Sequence, residues 1–452
     1  MNVVILAAGQ GTRMRSALPK VLQPLAGRPM LAHVLATAAA LRPGKLCVVY
    51  GHGGEAVRER FPEFDADWVL QAPQLGTGHA VQQALPHLDR DAVALVLYGD
   101  VPLVQQATLE RLVAAATAGP AILTVTESNP AGYGRIVRDA SGAVAAIVEE
   151  KDATAEQRAL REVNTGLLAA PVRQLGPWLD ALRADNAQQE YYLTDIVASA
   201  VTSGVPVTAV AAAAPVEVMG INDKTQLAAA ERAIQQRAAS ALMHHGVTLA
   251  DPARFDLRGT MTAGSDVFID INAVFSGDVS LGDNVTIEPN CVISNSTIGA
   301  GTRIKANSVL EDATVGAHCD IGPFARLRPQ ADIRDGARVG NFVEIKNAVL
   351  GRGSKANHLT YLGDATIGAE VNVGCGTITC NYDGANKHRT VIGDGAFIGS
   401  GVELVAPVTI GAGATIGAGS TIGKDAPPGE LTLERARQRT VAGWQRPQKQ
   451  KD

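Results

Sequence analysis

Residues 408–423 read VTIGAGATIGAGSTIG, and this stretch decides the fold of the second half of the chain. Isoleucine recurs at every sixth position, at Ile410, Ile416 and Ile422, with small residues between. A period of six places one inward aliphatic side chain on each face of a triangular coil, and small residues form the corners. The stretch therefore predicts a parallel β-helix.

The same period extends towards the amino terminus. Apolar residues recur at or close to every sixth position from about Asp251 onward, and they are Ile298, Ile304, Leu310, Val315, Ile321, Leu327, Ile333, Val339, Ile345, Ile392, Ile398 and Leu404. We expect these side chains to fill the inside of the coils.

The period breaks in two places, between Ile345 and Ile367 and between Ile378 and Ile392. Insertions into a solenoid leave it as loops, and such loops often carry binding and catalytic groups. A lone histidine is more often a surface or core residue than a functional one, but two polar interruptions favour a site. The polar residues in or beside them are His358, Tyr361, Asn381, Tyr382, Lys387 and His388.

The chain before residue 215 has a different pattern. Short apolar runs, such as KLCVVYG at 45–51 and AILTVTE at 121–127, alternate with alanine-rich stretches of helical character. This alternation predicts an α/β sheet with helices on both faces. A long helix follows, with Asn222 as its N-cap and Gly246 just past its end. We therefore expect an α/β domain at 1–221, a linker helix at 222–250 and a β-helix domain with a tail at 251–452.

A glycine-rich turn follows the first apolar run, VVIL. The spacing excludes a dinucleotide fingerprint, which needs a third glycine where Met14 stands, and a Walker loop, which needs Gly-Lys-Ser/Thr at residues 11–13. Gly9 and Gly11, with Arg13 and Lys20 nearby, suit a phosphate, because backbone N–H groups can approach it closely. A tight surface turn with solvated cations is the equally simple alternative.

Composition narrows the class of protein. The chain has 452 residues and a net charge of −5 without a basic stripe, which argues against nucleic acid as the main partner. It contains no apolar run of about 18 residues, so we expect no membrane insertion. The five scattered cysteines suit reduced thiols in the cytoplasm, and Cys375 and Cys380 are read as small hydrophobic residues, not metal ligands.

An ordered set of motifs carries a specific resemblance. LAAGQGTRM, LPKVL, QLGTGHA, YGDVPL, GYGRI, IVEEKDA, NTG, EYYLTD, RLRP, HLTYLGDA and TCNYDGANK follow one another along nearly the whole chain. Together they resemble the bacterial bifunctional N-acetylglucosamine-1-phosphate uridyltransferases and glucosamine-1-phosphate acetyltransferases. The resemblance implies a Rossmann-like nucleotidyltransferase domain joined by a long helix to a left-handed parallel β-helix of hexapeptide repeats, and a UDP-N-acetylglucosamine product used in peptidoglycan and lipopolysaccharide synthesis.

The resemblance implies that the first half transfers a uridylyl group from UTP to N-acetylglucosamine 1-phosphate with Mg²⁺. Arg13 and Lys20 would neutralise phosphates as catalytic groups. The metal ligands would be Asp100 and Asn222. Turn chemistry alone would also favour an aspartate at Asp100, but the accompanying motifs favour the metal ligand, and Asn222 could serve as ligand and helix cap together. The remaining substrate contacts implied are Leu6, Ala7, Ala8, Gly9, Gln71, Gly76, Thr77, Tyr98, Gly99, Gly134, Glu149 and Asn164.

The second half would transfer an acetyl group from acetyl-CoA to the amine of glucosamine 1-phosphate. An ammonium cannot attack a thioester, so a base is needed, and His358 stands at the family's base position. The resemblance implies sugar-phosphate contacts at Arg328, Lys346, Tyr361 and Asn372, and acetyl-CoA contacts at Cys375, Asn381, Tyr382, Ser400, Ala418 and Arg435. It also implies a homotrimer formed through the β-helix.

Two positions depart from the family pattern, and two other functions remain open. Cys375 stands where alanine is usual, and Gln330 where glycine is usual. A glucose-1-phosphate nucleotidyltransferase with a regulatory β-helix would lack the base and the coenzyme motifs. A non-catalytic scaffold would be expected to lack one of four residues, all of which are present: Arg13, Lys20, Asp100 and His358.

Overall fold

A computed structural model describes residues 1–9, 11–51 and 54–449 of the chain. The chain divides into two compact units, Met1–Ile234 and Gln235–Asp452, and the division falls within the helix Lys224–His244. The domain boundaries that we placed at 221 and 250 remain a prediction.

The first unit is built on a mixed, mostly parallel sheet. Its first strand is buried over its whole length, and its central strands are parallel, so that their carboxyl ends meet at one edge. A hairpin, Arg135–Arg138 and Val144–Val148, extends the antiparallel part. In spatial order the strands are Thr208–Ala211, Ala121–Thr126, Glu162–Pro171, Val93–Tyr98, Asn2–Ala7, Lys45–Gly51 and Asp67–Gln71.

Helices cover both faces of this sheet. Val3 packs with Leu35 and Leu109 on one face, whereas Val4 packs with Val81 and Leu175 on the other. The predicted α/β architecture is therefore confirmed. Within the part of the chain that the structure describes, the α-helices are Met30–Ala40, Glu55–Glu59, Thr77–Ala84, Gln106–Ala115, Ala155–Arg158, Val172–Asp180, Asp195–Thr202 and Lys224–His244, and the 3₁₀ turns are Thr12–Met14, Lys20–Leu22, Leu85–His87, Pro215–Val218 and Pro252–Arg254.

The long helix ends as predicted but begins differently. Gly246 follows its end with φ 94°, a conformation that suits glycine. The residue that caps its start is Asp223, whose Oδ1 accepts a hydrogen bond of 2.8 Å from the Gln226 N–H. The prediction of Asn222 as the N-cap is wrong, because the adjacent carboxylate takes that role. The side chain of Asn222 is thereby left for another contact.

The second unit is a stack of short parallel strands. Each strand pairs with one 17 or 18 residues further on over most of the stack, as in Thr286 with Arg303 and Phe268 with Thr286. The predicted inward residues are buried; Ile304, Ile398 and Ile410 have no exposed surface. The hexapeptide β-helix is therefore confirmed.

The strands of the second unit follow three faces of the coil. The first face holds Thr248–Leu249, Phe268–Ile269, Thr286–Ile287, Arg303–Ile304, Asp320–Ile321, Asn372–Val373, Phe397–Ile398, Thr415–Ile416 and Leu431–Thr432. The second holds Val292–Ser294, Val309–Glu311, Arg326–Leu327, Ile378–Cys380, Glu403–Val405 and Thr421–Ile422, and the third holds Thr297–Ile298, Thr314–Val315, Ala331–Ile333, Ala348–Leu350, Ala365–Ile367, Thr390–Ile392 and Val408–Ile410. Four longer strands turn a corner, and they are Phe255–Ala263, Ala273–Leu281, Arg338–Lys346 and Lys355–Gly363.

The first predicted interruption does not exist. Between Ile345 and Ile367 the coil continues through buried Leu350, Ala356 and Leu362. Two steps of five residues and an alanine at an inward position hide the period in the sequence. The prediction that His358 and Tyr361 lie in a loop is therefore wrong, since both belong to the strand Lys355–Gly363.

The second predicted interruption is present. Residues 381–389 leave the coil between the strands Ile378–Cys380 and Thr390–Ile392 and form a loop that an isolated bridge closes between Tyr382 and Lys387. Among the described residues, no helix is long and apolar enough to cross a membrane.

Candidate functional sites

A cavity of about 540 Å³ opens at the carboxyl edge of the first unit's sheet. The first strand ends at Ala7, the strand Val93–Tyr98 ends just before Asp100, and Gln71 closes a third strand. Crevices at this edge are where α/β sheets bind ligands. The cavity brings together most of the predicted nucleotide contacts, which are Leu6, Ala7, Ala8, Gly9, Lys20, Gln71, Gly76, Thr77, Tyr98 and Asp100.

Lys20 joins the two predicted metal ligands. Its Nζ forms an ion pair with Asp100 and donates a hydrogen bond of 2.9 Å to Asn222 Oδ1. The side chains of Lys20 and Asp100 are 12% and 17% exposed. The carboxylate of Asp100 and the amide oxygen of Asn222 therefore both contact the Lys20 ammonium. Both are hard oxygen ligands of the kind that Mg²⁺ prefers.

Besides the predicted sugar contacts, three predicted residues of the first unit lie outside the cavity lining. Arg13 is exposed on the short turn Thr12–Met14, and the structure does not join it to Lys20. Gly99 lies deeper, where its N–H donates 2.9 Å to the Leu6 carbonyl. Asn222 reaches the site through its contact with Lys20.

The predicted sugar contacts form a second group. The Asn164 N–H donates 2.8 Å to the Gly134 carbonyl, and a Cβ on Gly134 would lie 3.3 Å from Glu149 Oε1. Tyr98 borders both this group and the nucleotide cavity, since the charges of Glu149 and Asp100 both act on it. The structure thus brings Gly134, Glu149 and Asn164 together, close to the end of the strand that carries Tyr98.

Burial governs the ionisation of this second group. Burial raises the pKa of Glu149. The hydrogen bond of 3.1 Å that the Thr194 hydroxyl donates to Glu149 Oε1 acts in the opposite direction and lowers that pKa. Asp195 and Asp152 raise the same pKa further by charge repulsion. Burial, with the charges of Glu149 and Asp100, also raises the pKa of Tyr98, which keeps its phenol neutral.

The predicted base lies on a corner of the β-helix. His358 is exposed, and its Nδ1 lies 3.0 Å from Asn341 Oδ1 on the preceding coil. An amide oxygen can only accept, so Nδ1 carries the proton and Nε2 presents a lone pair. This arrangement suits a general base. Asn341 has no sequence signal of its own, because its role depends on the 17-residue register between the two strands.

A cluster of cations lies on the second face of the β-helix, just past the corner that carries His358. Arg328 Nη1 donates 2.7 Å to Glu344 Oε1, and Glu344 pairs in register with Tyr361. The Lys387 ammonium and then the charge of Arg328 lower the pKa of Lys346. Three of the predicted sugar-phosphate residues, Arg328, Lys346 and Tyr361, therefore lie together. Lys387, from the loop, joins them.

Asn372 stands apart from this cluster. The register pairs it with Lys355 and Phe397, across the corner from Tyr361. Asn381 donates a hydrogen bond to the buried carboxylate of Asp364, whose charge acts on Lys346 of the cluster.

Four of the predicted acetyl-CoA residues follow one corner of the stack, namely Cys375, Ser400, Ala418 and Arg435. The Gly376 N–H donates to the Leu359 carbonyl, the Gly401 N–H to Cys375 and the Gly419 N–H to Ser400, at 2.7 to 3.0 Å. A Cβ on Gly419 would lie 3.9 Å from Arg435 Cδ. At about 4.8 Å a coil, the column from His358 through Cys375, Ser400 and Ala418 to Arg435 spans roughly 19 Å. Tyr382 lies in the loop, 61% exposed, and donates 2.6 Å to the Gly384 carbonyl.

The two departures from the family pattern have different settings. Gln330 is exposed with φ 65°, a conformation that explains why glycine is usual there. Cys375 is a half-buried free thiol on the corner column.

Sequence reasoning missed two residues of the second site. They are Asn341, which orients His358, and Asp364, which holds Asn381. Lys387 was found through its position in a polar interruption, but sequence reasoning assigned it no specific role.

Comparisons with known proteins agree with the folds of both units. The family model described as the MobA-like NTP transferase domain matches residues 3–236, the six-repeat bacterial transferase hexapeptide model matches 389–424, and the model for the GMPPB C-terminal domain matches 257–331. The chain is 60% identical over 452 residues to the bifunctional protein GlmU of Aromatoleum aromaticum, with 100% of this chain and 99% of that protein covered. It is 59% identical, with full coverage of both chains, to the GlmU proteins of Azoarcus sp. (strain BH72) and Burkholderia multivorans.

These identities extend over the whole chain and include both units. They confirm the resemblance inferred from the ordered motifs, and they set aside a nucleotidyltransferase with a merely regulatory β-helix. The chain therefore belongs to the GlmU family of bifunctional enzymes, which join a uridyltransferase to an acetyltransferase.

Proposed function

We propose that the cavity of the first unit binds UTP and that the group around Glu149 binds N-acetylglucosamine 1-phosphate. The sugar's phosphate oxygen attacks the α-phosphorus, the bond to pyrophosphate breaks, and UDP-N-acetylglucosamine forms. Such a transfer depends on positioning and charge neutralisation more than on covalent help. Lys20 supplies a cation at the floor of the cavity, and Arg13 supplies one from the turn after the glycine loop.

Asp100 and Asn222 would hold the Mg²⁺ of this reaction. Their oxygens converge on the Lys20 ammonium, so the position already suits a cation. Two protein oxygens are enough for a metal whose other ligands are phosphates and water. When bound, the ion would neutralise charge on the phosphates. Lys20 would then turn towards the phosphates and away from the two ligands.

His358 would act as the base of acetyl transfer. Its Nε2 lone pair takes a proton from the ammonium of glucosamine 1-phosphate, and the free amine attacks the thioester carbon. The C–S bond breaks as the amide forms, and the coenzyme's sulfur leaves as a thiol with the second proton that the attacking nitrogen loses, while His358 returns its own proton to solvent. Three cations bind the sugar phosphate, those of Arg328, Lys346 and Lys387. The extended coenzyme lies along the corner column formed by Cys375, Ser400, Ala418 and Arg435.

His388, the other histidine beside the site, is less suited to this role. Its Nε2 lies 2.7 Å from Asp383 Oδ2, within the loop that also contains Tyr382. Hydrogen bonds from the Asn386 backbone and from His388 lower the pKa of Asp383. The pair holds the loop together, and it leaves His358 as the imidazole with a prepared lone pair.

We also propose that the β-helix forms a homotrimer. Phe324, Phe342 and Leu359 stand one above another on the corner that carries His358, and they are 49%, 57% and 60% exposed. The two phenylalanine rings stack at 5.3 Å. In a trimer, a neighbouring copy of the chain would cover this apolar column in each subunit, and we expect a mass three times that of the 46.9 kDa chain by light scattering.

The product would serve peptidoglycan and lipopolysaccharide synthesis in the cytoplasm. The free thiols of Cys47, Cys291 and Cys319 are buried in the cores, where they pack as small apolar groups and suit a reducing compartment.

The observation that supports the proposal is that each unit brings together most of the groups predicted for its own reaction. Asp100→Asn should therefore abolish uridylyl transfer and spare acetyl transfer, and His358→Ala should do the reverse. Both half-reactions are measured in the full-length protein, with a thermal melt to confirm folding. Either variant losing both activities while folded, or losing neither, would contradict the assignment.

A further inference from the structure

We propose that His79 fixes the orientation of the Gln71 amide and thereby makes the nucleotide site select uracil over cytosine. This inference rests on the proposed binding of UTP in the cavity. His79 lies in the helix Thr77–Ala84, directly after the glycine turn, and Gln71 ends the strand Asp67–Gln71.

The contacts of Gln71 leave little freedom to its amide. Its Nε2 donates a hydrogen bond of 3.0 Å to the Gly76 carbonyl and lies 3.1 Å from His79 Nδ1. A backbone carbonyl can only accept, so the NH₂ end of the amide must face Gly76. The second hydrogen of the same NH₂ then goes to His79 Nδ1, which must carry a lone pair.

The state of His79 agrees with this role. Burial lowers its pKa, which favours the neutral ring. Its other nitrogen, Nε2, lies 3.1 Å from Nε2 of the Gln83 side-chain amide, and a 180° turn of that amide presents its oxygen to the ring proton. With the Gln83 amide turned in this way, the neutral tautomer with a free Nδ1 lone pair is satisfied on both sides.

The consequence concerns the base of the nucleotide. Gln71 is 3% exposed and lines the cavity, and both of its donor hydrogens are occupied. Only its Oε1 remains for a ligand, so Gln71 can accept a hydrogen bond but cannot donate one. Uracil presents N3–H, a donor, whereas cytosine presents an unprotonated N3, an acceptor. Cytosine would place two acceptors against each other.

The test measures kcat/KM for UTP and for CTP with N-acetylglucosamine 1-phosphate in the full-length protein. His79→Leu removes the acceptor atom Nδ1. A 180° turn of the Gln71 amide then breaks only the hydrogen bond to the Gly76 carbonyl, whereas in the parent it also breaks the one to His79. The UTP-to-CTP ratio should fall about three- to tenfold, which is the range of one hydrogen bond. His79→Asn offers a side-chain oxygen near the position of Nδ1 and should restore most of the ratio.

The controls separate selectivity from folding. His87→Leu, at an exposed histidine in the turn Leu85–His87, should leave the ratio unchanged. Acetyl transfer by the second unit should be the same in every variant. If His79→Leu does not fold, His79→Phe removes the acceptor while keeping a planar ring.

Two results would overturn the inference: an unchanged ratio in a folded His79→Leu or His79→Phe protein, or an equal fall in His79→Leu and His79→Asn. Parent protein that makes no UDP-N-acetylglucosamine from UTP would instead contradict the proposed function itself.

Discussion

Replacing Asn341 by aspartate tests how the β-helix prepares its base. The change is nearly isosteric, and it places a carboxylate where the amide oxygen now lies, 3.0 Å from His358 Nδ1. A carboxylate stabilises the imidazolium, which cannot take a proton from the substrate. At any given acidic pH, a smaller fraction of the protein would then hold the base in its active form.

The size of this effect follows from the exposure of the pair. An exposed ion pair contributes at most about 1 kcal/mol, and a hydrogen bond to a charged group about 1.5 to 3 kcal/mol. The exposed position of His358 places the expected value between these ranges, at about 1.4 kcal/mol. This value corresponds to one pH unit. The acidic limb of acetyl transfer should therefore move to higher pH by about one unit.

The assay follows thiol release from acetyl-CoA with glucosamine 1-phosphate between pH 5.5 and 9. Uridylyl transfer by the same sample is the control and should keep its profile. His358→Ala should lower kcat by about 10² to 10⁴ and remove the limb. An Asn341→Asp limb at the parent's pH in folded protein would refute the role of Asn341, and near-parental acetylation by His358→Ala would refute the base.

Three further changes test other parts of the structure. Glu149→Gln should remove the cost of ionising a half-buried carboxylate. Because the folded-state pKa of Glu149 is raised, the parent loses stability as the pH rises through that value, so the variant should gain in melting temperature relative to the parent at pH 8 but not at pH 4. Equal pH dependence of the two melting temperatures would contradict this. Leu362→Ala empties an inward position of the strand that carries His358, and the free energy of unfolding should fall by about 2 to 5 kcal/mol in denaturant titration, whereas a loss below 1 kcal/mol would argue against close packing there. A chain shortened to residues 1–246 should keep uridylyl transfer and lose acetyl transfer; a cooperative melt without uridylyl transfer would contradict separate cores.

The sequence predicted the features that repeat along it. The alternation of apolar runs and helices gave the α/β unit, and the period of six gave the inward residues of the β-helix, because both patterns follow from local geometry. The period failed where Ala356 took an inward place between two steps of five residues, which made a continuous coil resemble a loop.

The site contacts were less accessible because they join residues far apart in sequence. The contact between Lys20 and Asn222 spans 202 positions in the sequence. The Oδ1 atom of Asn222 is available for it only because Asp223 caps the helix. Asn341 meets His358 through strand register, and His79 meets Gln71 through a turn. None of these contacts has a composition or a spacing that marks it in a single sequence.

Product analysis of the purified full-length protein tests the two-reaction account most directly. With glucosamine 1-phosphate, acetyl-CoA, UTP and Mg²⁺, mass spectrometry should find UDP-N-acetylglucosamine, pyrophosphate and free coenzyme A. Omitting acetyl-CoA should stop formation of the sugar nucleotide, and adding N-acetylglucosamine 1-phosphate should restore it. Formation of pyrophosphate and UDP-glucosamine without acetyl-CoA, or no sugar nucleotide with all four components present, would contradict the account.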